Sequence, residues 1–124
     1  MRKHPRSFRH HESGSVAVEF AFIFPVLLMF LLGVMEWGRY MYVYNTLQFG
    51  CEQAVRWGVY NITGPATDIE NYAKSQMVGV NPDVTATIDA GANSVEVNAS
   101  TQFNFVSDLV SPFPSITITA RARM

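Results

Sequence analysis

One long apolar run dominates the first half of the chain. No residue from Phe20 to Met35 is charged, and the run extends back to Ser15 with Glu19 as its only interruption. These roughly 21 residues would form about 31 Å of α-helix, which matches the hydrocarbon thickness of a bilayer. The pattern predicts a transmembrane helix over residues 15–36.

Beyond this run, apolar and small residues recur at steps of three and four. Polar residues fall mostly on the other faces, and the stripe consists of Trp37, Tyr40, Tyr44, Leu47, Cys51, Ala54 and Gly58. The spacing predicts that the helix continues over residues 37–60 as an amphipathic segment. Ion pairs on the helix surface are expected between Glu36 and Arg39 and between Glu52 and Arg56.

The C-terminal half changes to the period of β-strands after one short helix. The sequence of residues 67–70, Thr-Asp-Ile-Glu, is typical of a capping box and predicts a helix that ends near Val78. Three segments then alternate between apolar and polar residues, with inward positions at Val84, Ala86, Ile88, Val95, Val97, Ala99, Thr101, Phe103, Phe105, Ile116, Ile118, Ala120 and Ala122.

These elements together predict an α+β fold. The long N-terminal helix, membrane-spanning in its first half and amphipathic in its second, packs on a small three-stranded antiparallel sheet. The stripe from Tyr44 to Gly58 is the expected cover for the apolar face of the sheet. Residues 61–124 are expected to form a small α+β domain.

The distribution of charge orients the predicted membrane helix. Residues 1–14 hold four basic residues and one acid, whereas the rest of the chain holds five basic and nine acidic residues. Basic residues before an apolar span favour a cytoplasmic N-terminus, so residues 1–14 are interpreted as a cytoplasmic leader and residues 61–124 as extracytoplasmic. Because topology explains the basic run, no nucleic-acid partner is expected.

Few residues offer catalytic or metal-binding chemistry. All three histidines, His4, His10 and His11, lie in the leader without a thiol partner or a fixed scaffold, so no metal site is expected. The sequence has no nucleophile elbow and no acidic pair at catalytic spacing, which argues against an enzyme and against a cofactor. Cys51 is the single cysteine, and a buried apolar role is favoured over a cross-link to a second chain.

Several residues of the helix suggest contacts with a membrane or with another helix. Pro25 predicts a kink near residues 21–25. Gly33 and Gly38 would allow another helix to approach, and the stripe residues Tyr44 and Cys51 are further candidates for helix–helix contact in a homo- or hetero-oligomer. Glu19 would cost about 3 kcal/mol at the centre of a membrane helix, so its presence requires an explanation.

The arrangement of these features resembles the TadE-like family, the type IV pilin-like pseudopilins of tight-adherence (Flp-type) pilus systems. The resemblance rests on a basic leader ending in Gly14, on Glu19 five residues later, and on the aromatic Phe20 next to it. Further matches are Pro25, residues 33–39 with their Glu-Trp-Gly-Arg sequence, residues 42–45 and the closing residues 116–123.

The resemblance implies that the protein is the substrate of a membrane prepilin peptidase, which would cut between Gly14 and Ser15. Glu19 and Phe20 would serve in peptidase recognition and in subunit pairing. The implied partners are other pilin-like subunits and the pilus assembly platform, and the implied location is the inner membrane, with a single pass, or the pilus itself. Phe20 stands where the main Flp pilins have Tyr, and Ser15 stands where many type IV pilins have a methylated Phe.

Two interpretations of Glu19 follow from its chemistry. Cleavage after Gly14 would create an α-amino group with a pKa of about 8, and Glu19 could neutralise that cation on a neighbouring subunit. Alternatively, Glu19 lies close enough to the cytoplasmic interface to stay hydrated. The second interpretation fits an unprocessed single-pass anchor that displays a small binding or sensor domain outside the cytoplasm.

Overall fold

The computed structural model describes residues 13–89, 91–106 and 115–124. Its elements are α1 (Ser13–Tyr60), α2 (Ala66–Gln76), β1 (Asp83–Asp89), β2 (Ser94–Phe103) and β3 (Ile116–Arg123). The predicted α+β fold, with a long N-terminal helix packed on a small three-stranded antiparallel sheet, is confirmed. The leader, residues 1–14, lies outside the described residues except for its last two, so its three histidines and four basic residues do too.

The helix α1 passes through two compact units, whose boundary lies between Val34 and Met35. In the first unit the apolar side chains are exposed on every face of the helix, as Phe22 (77 % exposed) and Leu31 (54 %) illustrate. The helix is continuous through Pro25. Within the described part of the chain, α1 is the one helix long and apolar enough to cross a membrane, and its most apolar stretch is not buried at all.

The second unit is built on an antiparallel meander. β1 pairs with β2 and β2 pairs with β3, in registers that place Ala86 opposite Val97 and Ala99 opposite Ala120. Because side chains alternate between the two faces of a strand, this register collects the predicted apolar residues on one face. Of the predicted inward positions, Ile116 is the outlier, since it lies at the start of β3 and is 45 % exposed.

The core of this unit lies between the sheet, α2 and the second half of α1. Its buried members are Leu47, Cys51, Ala54 and Val55 from α1, Ile69, Ala73 and Met77 around α2, and Val84, Val95, Val97, Ala99, Phe103, Ile118 and Ala120 from the sheet. The predicted stripe is confirmed at Leu47, Cys51, Ala54 and Gly58.

The stripe prediction is wrong at its N-terminal end. Trp37 is 63 % exposed, because it precedes Tyr40, at which α1 first packs against the core. Tyr44 is 39 % exposed, because its neighbour Val43 packs against the core in its place. In their place the structure buries Gly50 and Val55. A Cβ atom added at Gly50 would clash with Met77 Cγ, so the side chain of Met77 occupies the space that this glycine leaves open.

The second helix begins and ends differently from the prediction. Pro65 is the N-cap residue of α2, and no side chain caps the helix, so the predicted capping box is wrong. Glu70 instead accepts a hydrogen bond from the backbone N–H of Ala86 in the edge strand β1, at 3.1 Å. The carboxylate thus accepts a hydrogen bond from a backbone N–H on the open side of the edge strand β1. This bond is worth more than a cap at the N-terminus of α2, where water can bind the free N–H groups.

One of the two expected ion pairs on α1 is present. Arg39 Nη1 and Glu36 Oε2 lie 3.0 Å apart, as predicted. The second prediction is wrong, because Glu52 accepts a hydrogen bond from Gln48 at 3.0 Å and forms no ion pair with Arg56. Gln48 and Arg56 each lie one helical turn from Glu52 on an exposed face, where an ion pair contributes only a few tenths of a kcal/mol more than no pair.

Candidate functional site

The predicted cleavage and pairing residues all lie in the first two turns of α1. Ser15 Oγ donates a hydrogen bond to Glu19 Oε1 at 3.4 Å, and both residues are exposed. Residues four apart on a helix share one face, so the carboxylate of Glu19 lies beside the residue that cleavage would make N-terminal. Phe20 follows Glu19 in the sequence, and its ring stacks on that of Phe24, with ring centroids 5.4 Å apart.

The backbone at the predicted scissile bond is sterically open. A Cβ atom added at Gly14 would meet no atom of the described chain within 4 Å, and the same is true at Gly33 and Gly38. The two latter glycines, both exposed, therefore offer a flat helix surface to a neighbour, as the sequence suggests. Cleavage at Gly14 and helix contact at Gly33 and Gly38 stay predictions.

The remaining candidates for helix–helix contact have different surroundings. Tyr44 is partly exposed, so its ring is accessible to a second chain. Cys51 has no exposed surface, and its sulfur lies 3.7 Å from the carbonyl oxygen of Ala120 in the protein's own sheet. Burial raises the pKa of the Cys51 thiol to about 11. The structure therefore assigns Cys51 to the core, which is the interpretation that the sequence favours, and not to a contact between chains.

A cluster of polar and aromatic residues stands where the apolar run of α1 ends. Glu36 begins it: one carboxylate oxygen pairs with Arg39, and the other accepts a hydrogen bond from the backbone N–H of Val106. The side chain of Glu36 is only 12 % exposed. Its charge is thus compensated by a cation and by a backbone donor, as a carboxylate removed from water requires.

Aromatic rings complete this group, which we call the boundary cluster: Glu36, Arg39, Tyr40, Phe103 and Val106. Tyr40 meets Phe103 edge to face at 5.9 Å between centroids, and the guanidinium carbon of Arg39 lies 5.2 Å from the centre of the same ring. Sequence reasoning found the ion pair of this cluster but missed Val106, because that contact joins residues 70 positions apart. No local pattern could have indicated it.

Two other surface features carry less chemistry. On the outer face of the sheet, Glu96 accepts hydrogen bonds from Asn98 at 3.0 Å and from Arg121 at 2.7 Å, and both bonds lower the pKa of its carboxyl group. A wide, solvent-open recess of about 310 Å³ is lined by Tyr42, Asn45, Thr46, Phe49, Gln76 and Val78. Across the described ranges no group of histidine, cysteine and acidic side chains could hold a metal ion.

The comparisons with known proteins bear on α1. No curated protein and no solved structure matches the chain. A match to a family model begins at Gly14, just before the predicted cleavage site, and ends at residue 56, within α1. The match therefore includes Glu36, Arg39 and Tyr40 of the boundary cluster. Residues 14–56 match the family model described as TadE-like protein, which confirms the resemblance that the sequence indicates.

Proposed function

We propose that the protein is a minor or accessory subunit, a pseudopilin, of a tight-adherence type IV pilus. In this proposal a prepilin peptidase cuts the chain after Gly14 on the cytoplasmic side of the inner membrane. The mature protein then spans the membrane once through residues 15–36 and holds residues 61–124 outside the cytoplasm. It acts in pilus assembly together with other pilin-like subunits and the assembly platform.

The observation that carries the proposal is the family match together with its position. The match starts at Gly14, the residue on which the predicted processing depends. The helix that follows exposes apolar side chains on all of its faces, which is the pattern of a segment surrounded by lipid or by other apolar helices and not by water.

The placement of Glu19 supports a role for its carboxylate after cleavage. Cleavage would leave Ser15 with a charged α-amino group at the end of an apolar helix, where an unpaired cation is unfavourable. Glu19 lies one helical turn from that position and already accepts a hydrogen bond from the Ser15 side chain. Glu19 is therefore close to the new terminus of its own chain. In the proposal it neutralises the corresponding terminus of an adjacent subunit, and each charge then reduces the cost of the other.

The first experiment determines where the mature protein begins. The full chain is expressed in membranes with and without a prepilin peptidase, and the extracted protein is analysed by intact mass and N-terminal sequencing. We expect a chain that starts at Ser15 only when the peptidase is present. A retained leader would contradict the proposal and would favour an unprocessed membrane anchor.

A matched pair of glycine variants makes this test specific. Gly14→Leu should abolish cleavage, whereas Gly33→Leu should be cut like the native chain. The comparison is balanced, because neither glycine has any described atom within 4 Å of an added Cβ. Both variants therefore preserve the packing of the second unit, and a difference between them reports on the peptidase.

The second experiment separates recognition from pairing at Glu19. Glu19→Gln removes the charge and keeps the shape, whereas Glu19→Asp keeps the charge. We expect pili to be lost in the Gln variant and to be at least partly retained in the Asp variant, as counted on cells that lack the native protein. If the Gln variant is cut and supports normal numbers of pili, the proposed charge pairing is wrong.

A further inference from the structure

Exposed apolar side chains lie within the boundary cluster and next to it. Val106, in the loop after β2, is 65 % exposed, and Trp37, on α1, is 63 % exposed. Trp37 stacks on Tyr40 at 5.9 Å between ring centroids, and Tyr40 in turn contacts Phe103 at the end of β2. The helix and the β2 end of the sheet therefore expose apolar surface side by side.

The position of Val106 along α1 is fixed by a hydrogen bond. Its backbone N–H binds the carboxylate of Glu36, and Glu36 is the last residue of the predicted membrane span. Val106 is consequently one side-chain length away from Glu36, where the hydrocarbon core of the membrane is predicted to end. At that depth the exposed side chain of Val106 can contact lipid as well as water.

The chemistry around Val106 matches the interfacial layer of a bilayer. Tryptophan is enriched at this layer, because its ring is apolar and its N–H can still reach water or a headgroup. The side chain of Arg39 is 41 % exposed beside them, and its guanidinium group, which lies over the ring of Phe103, can also bind lipid phosphates through its exposed N–H groups. An apolar body with a cationic rim is the composition that binds anionic lipid surfaces.

We infer that the second unit touches the membrane at a second point: Val106, together with Trp37 and Arg39, is seated in the headgroup layer of the outer leaflet. The inference rests on the membrane placement in the proposed function. It adds that Val106, and not α1 alone, contacts lipid. The Glu36–Val106 hydrogen bond is then the connection that holds Val106 at the membrane surface.

The surface is assigned to lipid and not to a protein partner because it is continuous with the predicted span. Trp37 follows Glu36 directly in the same helix, so any membrane that ends at Glu36 reaches Trp37. Val106 is tied to that same residue by its backbone. Contact with another protein at this surface would require the partner to displace headgroups from the end of the span.

The test uses tryptophan fluorescence in the full chain, reconstituted in nanodiscs of phosphatidylcholine and phosphatidylglycerol. The lipid carries bromine atoms near the start of its acyl chains, which quench tryptophan at short range. The native chain has two tryptophans, so Trp57→Phe leaves Trp37 as the reporter of the span itself. Val106→Trp is then placed in a background with both Trp37→Phe and Trp57→Phe.

Tyr60→Trp in the same background is the matched control. Tyr60 is 89 % exposed and lies on the same helix, about 36 Å beyond Glu36 at 1.5 Å per residue. We expect the Val106→Trp chain to lose as much fluorescence to bromolipid as Trp37 does, and the Tyr60→Trp chain to lose none.

Each alternative result overturns the inference in a recognisable way. Quenching of Trp37 without quenching in the Val106→Trp chain would overturn the second contact and leave the membrane span intact. Absence of quenching at both positions would overturn the span as well, and with it the membrane placement in the proposed function. Quenching in the Tyr60→Trp chain equal to that of Val106→Trp would show unspecific adsorption and would also contradict the inference.

A second label protects the test from a variant that disturbs the loop. Val106→Cys is labelled with a nitroxide, and its collision rates with oxygen, which concentrates in lipid, and with a water-soluble nickel complex are compared. The native Cys51 should not react, since it is buried and its thiol pKa is about 11. A label more accessible to nickel than to oxygen contradicts the inference.

Discussion

The two halves of α1 belong to one helix but have opposite relations to their surroundings. Leu31, in the first half, is 54 % exposed, whereas Leu47, in the second, has no exposed surface. Both are leucines in a regular helix, so neither residue type nor local conformation explains the difference. What differs is the pattern of their neighbours, which is apolar on all faces in the first half and on one face in the second.

This comparison shows that hydrophobicity and burial within the chain are separate properties. The second half of α1 presents one apolar stripe, and the sheet and α2 cover it. The first half has no polar face that could remain in water, so its apolar surface requires lipid or other chains. Removal of apolar surface from water therefore stabilises both halves of α1. In the second half the core of the protein provides the apolar environment, and in the first half lipid or other chains would provide it.

Removing a leucine from each half should give the largest contrast. Leu47→Ala is expected to lower the free energy of unfolding by about 2–5 kcal/mol, because it leaves a cavity in a closely packed core. Leu31→Ala should have little effect on the same measurement, since Leu31 has no core around it. Urea denaturation of the full chain in detergent, followed by circular dichroism, checks this, and equal effects would contradict the comparison.

An arginine introduced into the first half of α1 should impair membrane insertion, whereas one introduced into the second half should not. Leu28→Arg is expected to oppose membrane insertion by about 3 kcal/mol, the cost of arginine near the centre of a membrane helix. Asn45→Arg, at an exposed position of the second half, should leave insertion unchanged. Resistance of the membrane-bound chain to alkaline extraction measures insertion, and full retention of the Leu28→Arg chain would contradict the predicted span.

Two glycines in the part of α1 that belongs to the second unit have different surroundings: Gly58 lies on the face covered by the core, and Gly38 lies on an open face. A Cβ atom at Gly58 would lie 2.9 Å from Ile69 Cδ1 and 3.0 Å from Val95 Cγ1, whereas one at Gly38 meets nothing within 4 Å. Gly58→Ala should therefore destabilise the unit by about 1 kcal/mol through overpacking. Gly38→Ala should stabilise it by up to about 1 kcal/mol through helix propensity. Thermal unfolding in detergent tests whether the two changes have opposite signs.

The effect that is absent at neutral pH and appears only in alkali is the dependence of stability on pH through Cys51. Burial raises the pKa of its thiol from 9.0 to about 11, so the folded state holds the proton more tightly than the unfolded state does. The stability that this provides is complete below pH 9 and is lost as the pH rises toward 11. Cys51→Ala should remove this component, which a comparison of urea midpoints for both chains across that pH range would detect.

Much of the fold could be predicted because the periods in the sequence are long and regular. A run without charge and a stripe at helical spacing predict 15–60 as helix, and α1 covers Ser13–Tyr60. Three segments with a period of two predict three strands, and the inward residues of β2 are those expected. These patterns succeed because each records, residue by residue, which face meets an apolar environment.

The wrong predictions all concern choices between nearby polar partners or the limits of a surface. Glu70 contacts the edge strand and not its own helix end, and Glu52 binds Gln48 and not Arg56. Trp37 and Tyr44 belong to the apolar period, yet Trp37 precedes the start of the core, and Val43 packs against the core in place of Tyr44. Energy differences of a few tenths of a kcal/mol decide such cases, and they depend on what the rest of the chain brings close.

The sequence by itself determined that a lipid-compatible helix continues into an amphipathic one, and that a small antiparallel sheet covers the second part. It also contained the Gly14, Glu19 and Phe20 pattern on which the proposed processing rests. Only the tertiary structure decided that Glu36 binds the loop after β2 and that Cys51 belongs to the core. The physical reason is that periodicity records the environment of each residue, whereas a hydrogen bond across 70 residues requires the folded sheet to bring its two ends together.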